Sequence, residues 1–404
     1  MTTLAAPGDA AVLPSLGYPL YDADQHYYET ADALTRHLAP EYKRLIKILQ
    51  TADGRTRMVI NNKLYTTNPD PTFPTVAAPG VFEQYFRSQN TEGRELASFV
   101  GRLQESQPEY TNRDARIAKL DEQGVAATIM LPTVGVAVED LLTDKPDALH
   151  AIVEAFNRWV EDEWGYSYQD RIIATPVLSL ADPDLAVKEL ERVRDAGARI
   201  VVLVPGPVRA GSITRSPGNP IFDRFWATAA EAGIVVSYHT GEAGYEWVAE
   251  KWGEGAFEGL RTTPLPEIMQ LHVERPIQDT IAALVGHGVF ERHPALKVAT
   301  IEAGSTWVLD LVRRIRSAYG KIPQKFAVDP VESFREHVWV APFYEDDLLA
   351  LKDALGIGHI IFGSDWPHPE GLPTPGAFAR DAAVLSDEDR KLILSDNLKS
   401  LLQL

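Results

Sequence analysis

The stretch HIIFGSDWP, His359–Pro367, passes from an apolar run at Ile360–Phe362 to a carboxylate at Asp365. A short apolar run bounded by glycine and proline reads as a buried strand. Seven earlier runs share its character: PLYDADQH (Pro19–His26), VAATIMLP (Val125–Pro132), RIIATPVLS (Arg171–Ser179), ARIVVLVP (Ala198–Pro205), GIVVSYHT (Gly233–Thr240), LKVATIEAG (Leu296–Gly304) and HVWVAPF (His337–Phe343). Helical periodicity fills the intervals. NRDARIAKLDEQG offers Asn112 as a cap and stops at Gly124; other helical stretches stop at Gly197, Gly233 and Gly320, the last with Ser305 available as its cap. Strands alternating with helices imply a parallel sheet, and eight of them close most simply into an α/β (β/α)8 TIM barrel, which leaves no free edge.

One segment falls outside the alternation. Residues 41–108 carry TADGRTRMVINNKLYTTNPDPTFPT, which predicts a hairpin at NNK followed by a proline-rich loop. It reads as an insertion after the first strand, on the face where barrel enzymes build their sites. A lid, a dimer contact and a structural elaboration all remain open for it. Residues 1–17 read as a loosely held arm, and 18–404 as one barrel domain.

Composition narrows the function. The 404 residues hold 57 acidic and 39 basic side chains, a formal charge of -18, which repels nucleic acid and anionic lipid. No cysteine is present, so disulfides, thiolate nucleophiles and Cys-ligated zinc are excluded, and any metal must bind His and carboxylates. The N-terminal residues lack a basic segment followed by an apolar core, and no apolar run reaches the roughly 18 residues of a membrane span. A cytoplasmic enzyme with no membrane partner is expected. No G-x-S-x-G elbow, Walker loop or strand-linked G-x-G-x-x-G appears.

In a barrel the chemistry sits at the C-terminal ends of the strands. Asp24 and His26 end the first run, two positions apart and so on one side of an extended strand. His239 ends the fifth run, Glu302 the sixth and Asp365 the eighth. Each alone reads as a capping or hydrogen-bonded residue. Together they would set several ionisable groups in one dry mouth, where they need a compensating cation. Asp22 shares the parity of Asp24 but lies deeper, and Glu29 falls beyond the strand.

DADQH, the HTG after strand five, GVFERHPALKV and IIFGSDWPHPEG resemble the amidohydrolase-related family of the amidohydrolase superfamily, which includes the aminocarboxymuconate-semialdehyde and resorcylate decarboxylase types. The resemblance runs from about Pro19 to Leu401. It implies that Asp24 and His26 stand at the family's His-x-His or Glu-x-His pair, that His239 is the strand-five ligand, and that Asp365 is both a ligand and a proton carrier. These four would hold one divalent ion, Zn²⁺ or Mn²⁺, for a small-molecule substrate, in a homodimer. Asp24 in place of an imidazole hardens the site towards Mn²⁺.

The chain departs from the pattern at strand six, where many relatives have histidine and this one has Glu302. It is either a replacement acid/base or a structural carboxylate paired with an arginine such as Arg313 or Arg314. His368 is expected to orient substrate or to hydrogen-bond a ligand. His272, His287 and His293 read as structural; Arg171, Arg275 and Lys63 are unranked candidates for an anionic substrate. The implied reaction is decarboxylation of a small carboxylated aromatic or unsaturated molecule. The alternatives are metal-assisted hydrolysis of an amide, lactone or carbon–carbon bond, and an inactive barrel serving as a carrier or scaffold.

Overall fold

A computed structural model describes residues 16–52, 54–68, 70–241, 243–254 and 263–404. Most of the expected N-terminal arm, residues 1–15, lies outside them. Parallel strands β1 (Leu20–Tyr27), β2 (Val125–Pro132) and β3 (Ile172–Ala174) form one arc. A second holds β4 (Ile200–Leu203), β5 (Val235–His239), β6 (Lys297–Ile301) and β7 (Val338–Val340), each paired with the next.

Backbone bonds join the two arcs into a ring. Beyond β3, Leu178 N–H donates to Val202 O at 2.9 Å, and Val202 N–H donates to Pro176 O at 2.9 Å. Ile361 N–H donates to Val340 O at 3.0 Å, tying the eighth segment, residues 360–366, to β7. Ala23 N–H to Phe362 O (2.7 Å), Asp365 N–H to Asp24 O (2.8 Å) and His26 N–H to Trp366 O (2.8 Å) join that segment to β1. The fold is a TIM barrel.

Two expected strands are shorter than their apolar runs. The third run keeps regular pairing only over Ile172–Ala174, because Pro176 has no N–H to give the ladder. The eighth segment pairs on both sides without being a regular strand, since Asp365 takes a left-handed backbone, φ 54°, that breaks the extended course.

Helix signals are mostly realised. Asn112 Oδ1 accepts from Ala115 N–H at 2.9 Å, and Gly124 closes that helix at φ 70°. Ser305 precedes the helix Thr306–Lys321 but does not cap it; its hydroxyl donates to Asp346 instead. The helices bury Trp159, Trp164 and Trp226 against the barrel, each almost fully removed from water.

Between β1 and β2, Thr56–Ile60 and Lys63–Leu64 form the expected hairpin, with Asn61 and Asn62 at φ 52° and 60° as a tight two-residue turn requires. Ile46–Gln50 adds a third antiparallel strand that the sequence did not announce. Further along, the segment rests on the loop after the eighth segment. Phe82 N–H donates to Pro369 O at 3.0 Å. Gly80, at φ 78°, lies so close to Pro373 that a Cβ there would be 2.7 Å from its Cδ. Among the described residues no helix is long and apolar enough to cross a membrane.

Candidate metal centre

Asp24, His26, His239, Glu302, Asp365 and His368 meet at the barrel mouth. They form two overlapping groups of possible ligands: Asp24, His26, His239 and Glu302; and His26, Glu302, Asp365 and His368. Within each group the candidate atoms lie within 4.8 Å of one another. The set expected from sequence is therefore divided. Asp24, His26 and His239 share a group with Glu302, while Asp365 belongs with His368.

The centre is His26 Nε2. It lies 3.3 Å from Asp24 Oδ1, 3.3 Å from Asp365 Oδ1, 3.8 Å from Glu302 Oε2 and 3.2 Å from His239 Nε2. His239 Nε2 is 2.8 Å from Glu302 Oε2 and 3.8 Å from Asp24 Oδ1. Four donors around an ion at about 2.1 Å stand about 3.4 Å apart, and the observed separations bracket that value. Asp24, His26 and His239 are at most 3% exposed.

Hydrogen bonding fixes which nitrogen faces the centre. His239 Nδ1 lies 2.7 Å from Thr240 O, an acceptor only, so Nδ1 carries a proton and Nε2 is the nitrogen left to meet a cation. Buried 2.8 Å from Glu302 Oε2, Nε2 holds a proton in the metal-free protein, a place that a cation would take. Asp24 Oδ1, Asp365 Oδ1 and His368 Nδ1 are likewise buried without a hydrogen-bond partner. The residues present fit a divalent cation.

Proton affinities follow from the same crowding. Burial raises the Asp365 carboxyl well above the usual range, and nearby Glu302 and Glu370 add to the rise. Burial would also raise Asp24, but the imidazoles of His239 and His26 outweigh it and hold that carboxyl low. For His239, burial opposes the charged form, yet Glu302 and Asp24 push the imidazole up to about 10. Burial keeps His368 neutral, assisted by the other imidazoles.

The arginine pairing considered for Glu302 is not formed: Arg313 and Arg314 both bind Asp310. Glu302 sits on left-handed backbone at φ 48° and turns towards the histidines. Asp22 does not follow Asp24. One extra residue between the registered pairs Asp22–Thr128 and Gln25–Met130 breaks the alternation of β1. The Asp22 carboxylate instead accepts from Ser364 N–H, Ser364 Oγ–H, Asp24 N–H and Gln25 Nε2. Glu29, expected only to lie beyond the strand, is 4% exposed and accepts from Val134 and Gly135 N–H, holding the loop after β2.

None of the three unranked cations is shown meeting the cluster. Arg171 binds Asp121 and the carbonyls of Val125 and Ala126 at the opposite end of β2; Arg275 binds Asp279; Lys63 is exposed in the hairpin. Two groups escaped the sequence reading, Arg116, which is fully buried, and Glu370, which is partly buried. Arg116 donates to His26 O at 2.7 Å and to Gln25 Oε1 at 3.1 Å, steadying β1 from behind. Glu370, two residues past His368, is pushed up to about 8 by burial and then by Glu302. Its signal was the acid in WPHPEG, read as part of a motif rather than as a group facing the mouth.

Carboxylates and imidazoles at the C-terminal ends of β1, β5, β6 and the eighth segment of a TIM barrel define a metal-dependent enzyme class. Residues 21–403 match the family described as Amidohydrolase, and the chain belongs to it. It is an enzyme of the amidohydrolase superfamily. An amidohydrolase structure from Mycobacterium avium subsp. paratuberculosis is similar at 42% identity and TM-score 0.90, covering 96% of this chain and 100% of its own. The gamma-resorcylate decarboxylase of Rhizobium radiobacter is 23% identical over 318 residues, 72% of this chain and 87% of that protein. A dihydroxybenzoic acid decarboxylase from Polaromonas sp., solved with manganese and the inhibitor 2-nitroresorcinol, shares the fold at TM-score 0.52 and 18% identity, covering 80% of this chain and 92% of its own.

Proposed function

We propose that the protein is a metal-dependent carboxy-lyase acting on a small carboxylated aromatic or unsaturated substrate. The observation that carries this reading is the ring of orphaned ligand atoms around His26 Nε2, with a further buried carboxyl, Asp365, 3.3 Å away. Asp24, His26, His239 and Glu302 would hold the ion. Bound there, a divalent cation supplies a Lewis acid that anchors and polarises the oxygens of a substrate. The two carboxylates, Asp24 and Glu302, are hard ligands that favour Mn²⁺, the ion bound in the Polaromonas relative.

In the reaction the bond between the substrate carbon and its carboxylate breaks, CO₂ leaves, and the electron pair stays on carbon. Asp365 delivers a proton to that carbon and is reprotonated from water. Its raised proton affinity keeps the proton available at neutral pH. His368, tethered through Nε2 to Thr133 Oγ1, sets its Nδ1 2.9 Å from Asp365 Oδ1. The test is CO₂ release from a panel of hydroxybenzoates and muconate-type acids, run beside ester and amide cleavage. Asp365→Asn should abolish CO₂ release while leaving bound metal near one ion per chain. Hydrolysis without CO₂ release would replace the lyase reading.

A further inference from the structure

His26 lacks the hydrogen bond that usually orients a metal-binding imidazole. Its Nε2 meets the other candidate ligands, and among the described residues no group bonds its buried Nδ1. An imidazole without such a bond can turn about its second side-chain torsion, whose preference is broad, and swing Nε2 away from the other donors. A series of ring contacts takes the place of that bond. His26 lies near-parallel to His368, with centroids 3.9 Å apart and planes inclined by 26°. His368 is pinned at one point, where Nε2 lies 3.0 Å from Thr133 Oγ1, and its ring is near-parallel to Tyr28, with centroids 5.9 Å apart and planes inclined by 26°. Tyr28 in turn stacks on Phe73 of the insertion, at 4.4 Å and 17°. All four residues are at most 9% exposed.

Phe73 keeps its place under strain. Its backbone is left-handed, φ 47°, which a bulky side chain rarely adopts. Strain of this kind gathers at functional sites, where the surroundings enforce it. Here Asp70 enforces it: its carboxylate accepts from Thr72 N–H at 3.0 Å and from Thr72 Oγ1–H at 2.6 Å, and its carbonyl accepts from Phe73 N–H at 3.2 Å. Pro71 and Pro74 flank the turn, and Ser106 N–H donates to Pro74 O at 3.3 Å. We propose that Phe73 is a positioning residue: through Tyr28 and His368 it sets the ring plane of His26, so that the insertion governs how tightly the centre holds a divalent cation. The inference rests on the reading of Asp24, His26, His239 and Glu302 as ligands.

The probe is Co²⁺ alone, added to metal-free full-length protein, with affinity read by competition against a fluorescent chelator and ligand geometry by the visible absorption of the bound ion. Phe73→Leu and Tyr28→Leu each remove a ring. Each should weaken Co²⁺ binding by about tenfold or more and shift the absorption, while Tyr28→Phe, which keeps the ring, matches wild type. Joined in one chain, the two leucine substitutions should lose no more than the worse of them alone, because both break the same series of contacts. Melting profiles of the metal-free variants show that each folds; should Phe73→Leu not fold, Phe73→Met, which keeps bulk without a ring, carries the same expectation. Wild-type affinity and absorption in a folded leucine variant overturn the inference and leave the proposed function standing. Additive losses in the double variant overturn it as well, as does Tyr28→Phe binding as weakly as Tyr28→Leu. No Co²⁺ bound by the wild type overturns the proposed function with it.

Discussion

Glu302 and Asp365 both stand on left-handed backbone, at φ 48° and 54°, with carboxylate oxygens 3.8 and 3.3 Å from His26 Nε2. Such a conformation costs about 1–3 kcal/mol at a residue with a side chain. At both positions it ends an extended course and turns a carboxylate across the mouth. The cost is met where strand ends are pinned on both sides, as Asp365 is by its bond to Asp24 O.

Glu302→Gln should weaken Mn²⁺ binding by about 100-fold or more, because it removes one of the two carboxylates that would hold the ion. Competition against a fluorescent chelator reads this directly. Affinity and turnover both unchanged would show that Glu302 serves neither metal nor chemistry.

Gly363→Ala should disturb the site without removing any ligand. A methyl group there would lie 2.7 Å from Asp24 Cβ, closer than real contacts allow, so β1 or the eighth segment must shift. We expect Mn²⁺ affinity to fall by about 10–100-fold, the range seen when the surroundings of a ligand are altered. Wild-type affinity in a folded variant would mean that the approach of the two segments is slack.

Glu29 gives a pH signature in the metal-free protein. Burial pushes its carboxyl up to about 7, against the lowering effect of the Val134 and Gly135 N–H groups. A raised carboxyl pKa means that the folded state holds the proton more tightly than the unfolded chain. Its stabilising contribution is fully present below the unfolded value of about 4.3 and is lost as pH rises to about 7. Urea midpoints of wild type and Glu29→Gln, compared from pH 4 to 8, should diverge across that window. Parallel curves would show Glu29 ionised in the fold.

Gly80→Ala should act on substrate rather than on metal. The left-handed backbone and the 2.7 Å approach to Pro373 make a side chain there push the insertion off the loop after the eighth segment. KM should rise several-fold with metal content unchanged. An unaltered KM would separate the insertion from substrate binding.

Eight apolar runs, four of them ending in ionisable groups, made the barrel and five of the six cluster residues legible through strand ends alone, with His368 added from the adjoining loop. What escaped was anything set by local irregularity. The alternation rule carried Asp24 and His26 to the mouth and left Asp22 deeper, where it is fully buried, but the extra residue in β1 and the bonds from Ser364 leave no mark in composition. Glu302 stayed ambiguous, since whether its carboxylate meets an arginine or a histidine depends on a backbone angle. Arg116 was invisible as a partner because it meets His26 and Gln25 across the fold rather than along a strand.

The hydrogen bond from Asp365 N–H to Asp24 O also orders events in the life of the chain. Contacts this distant in sequence form late, after the loops between them have closed. A ribosome must release nearly the whole polypeptide before the first and last segments can meet. Until then Asp24 and His26 are an incomplete set of ligands, and metal uptake becomes a report that synthesis and ring closure are finished.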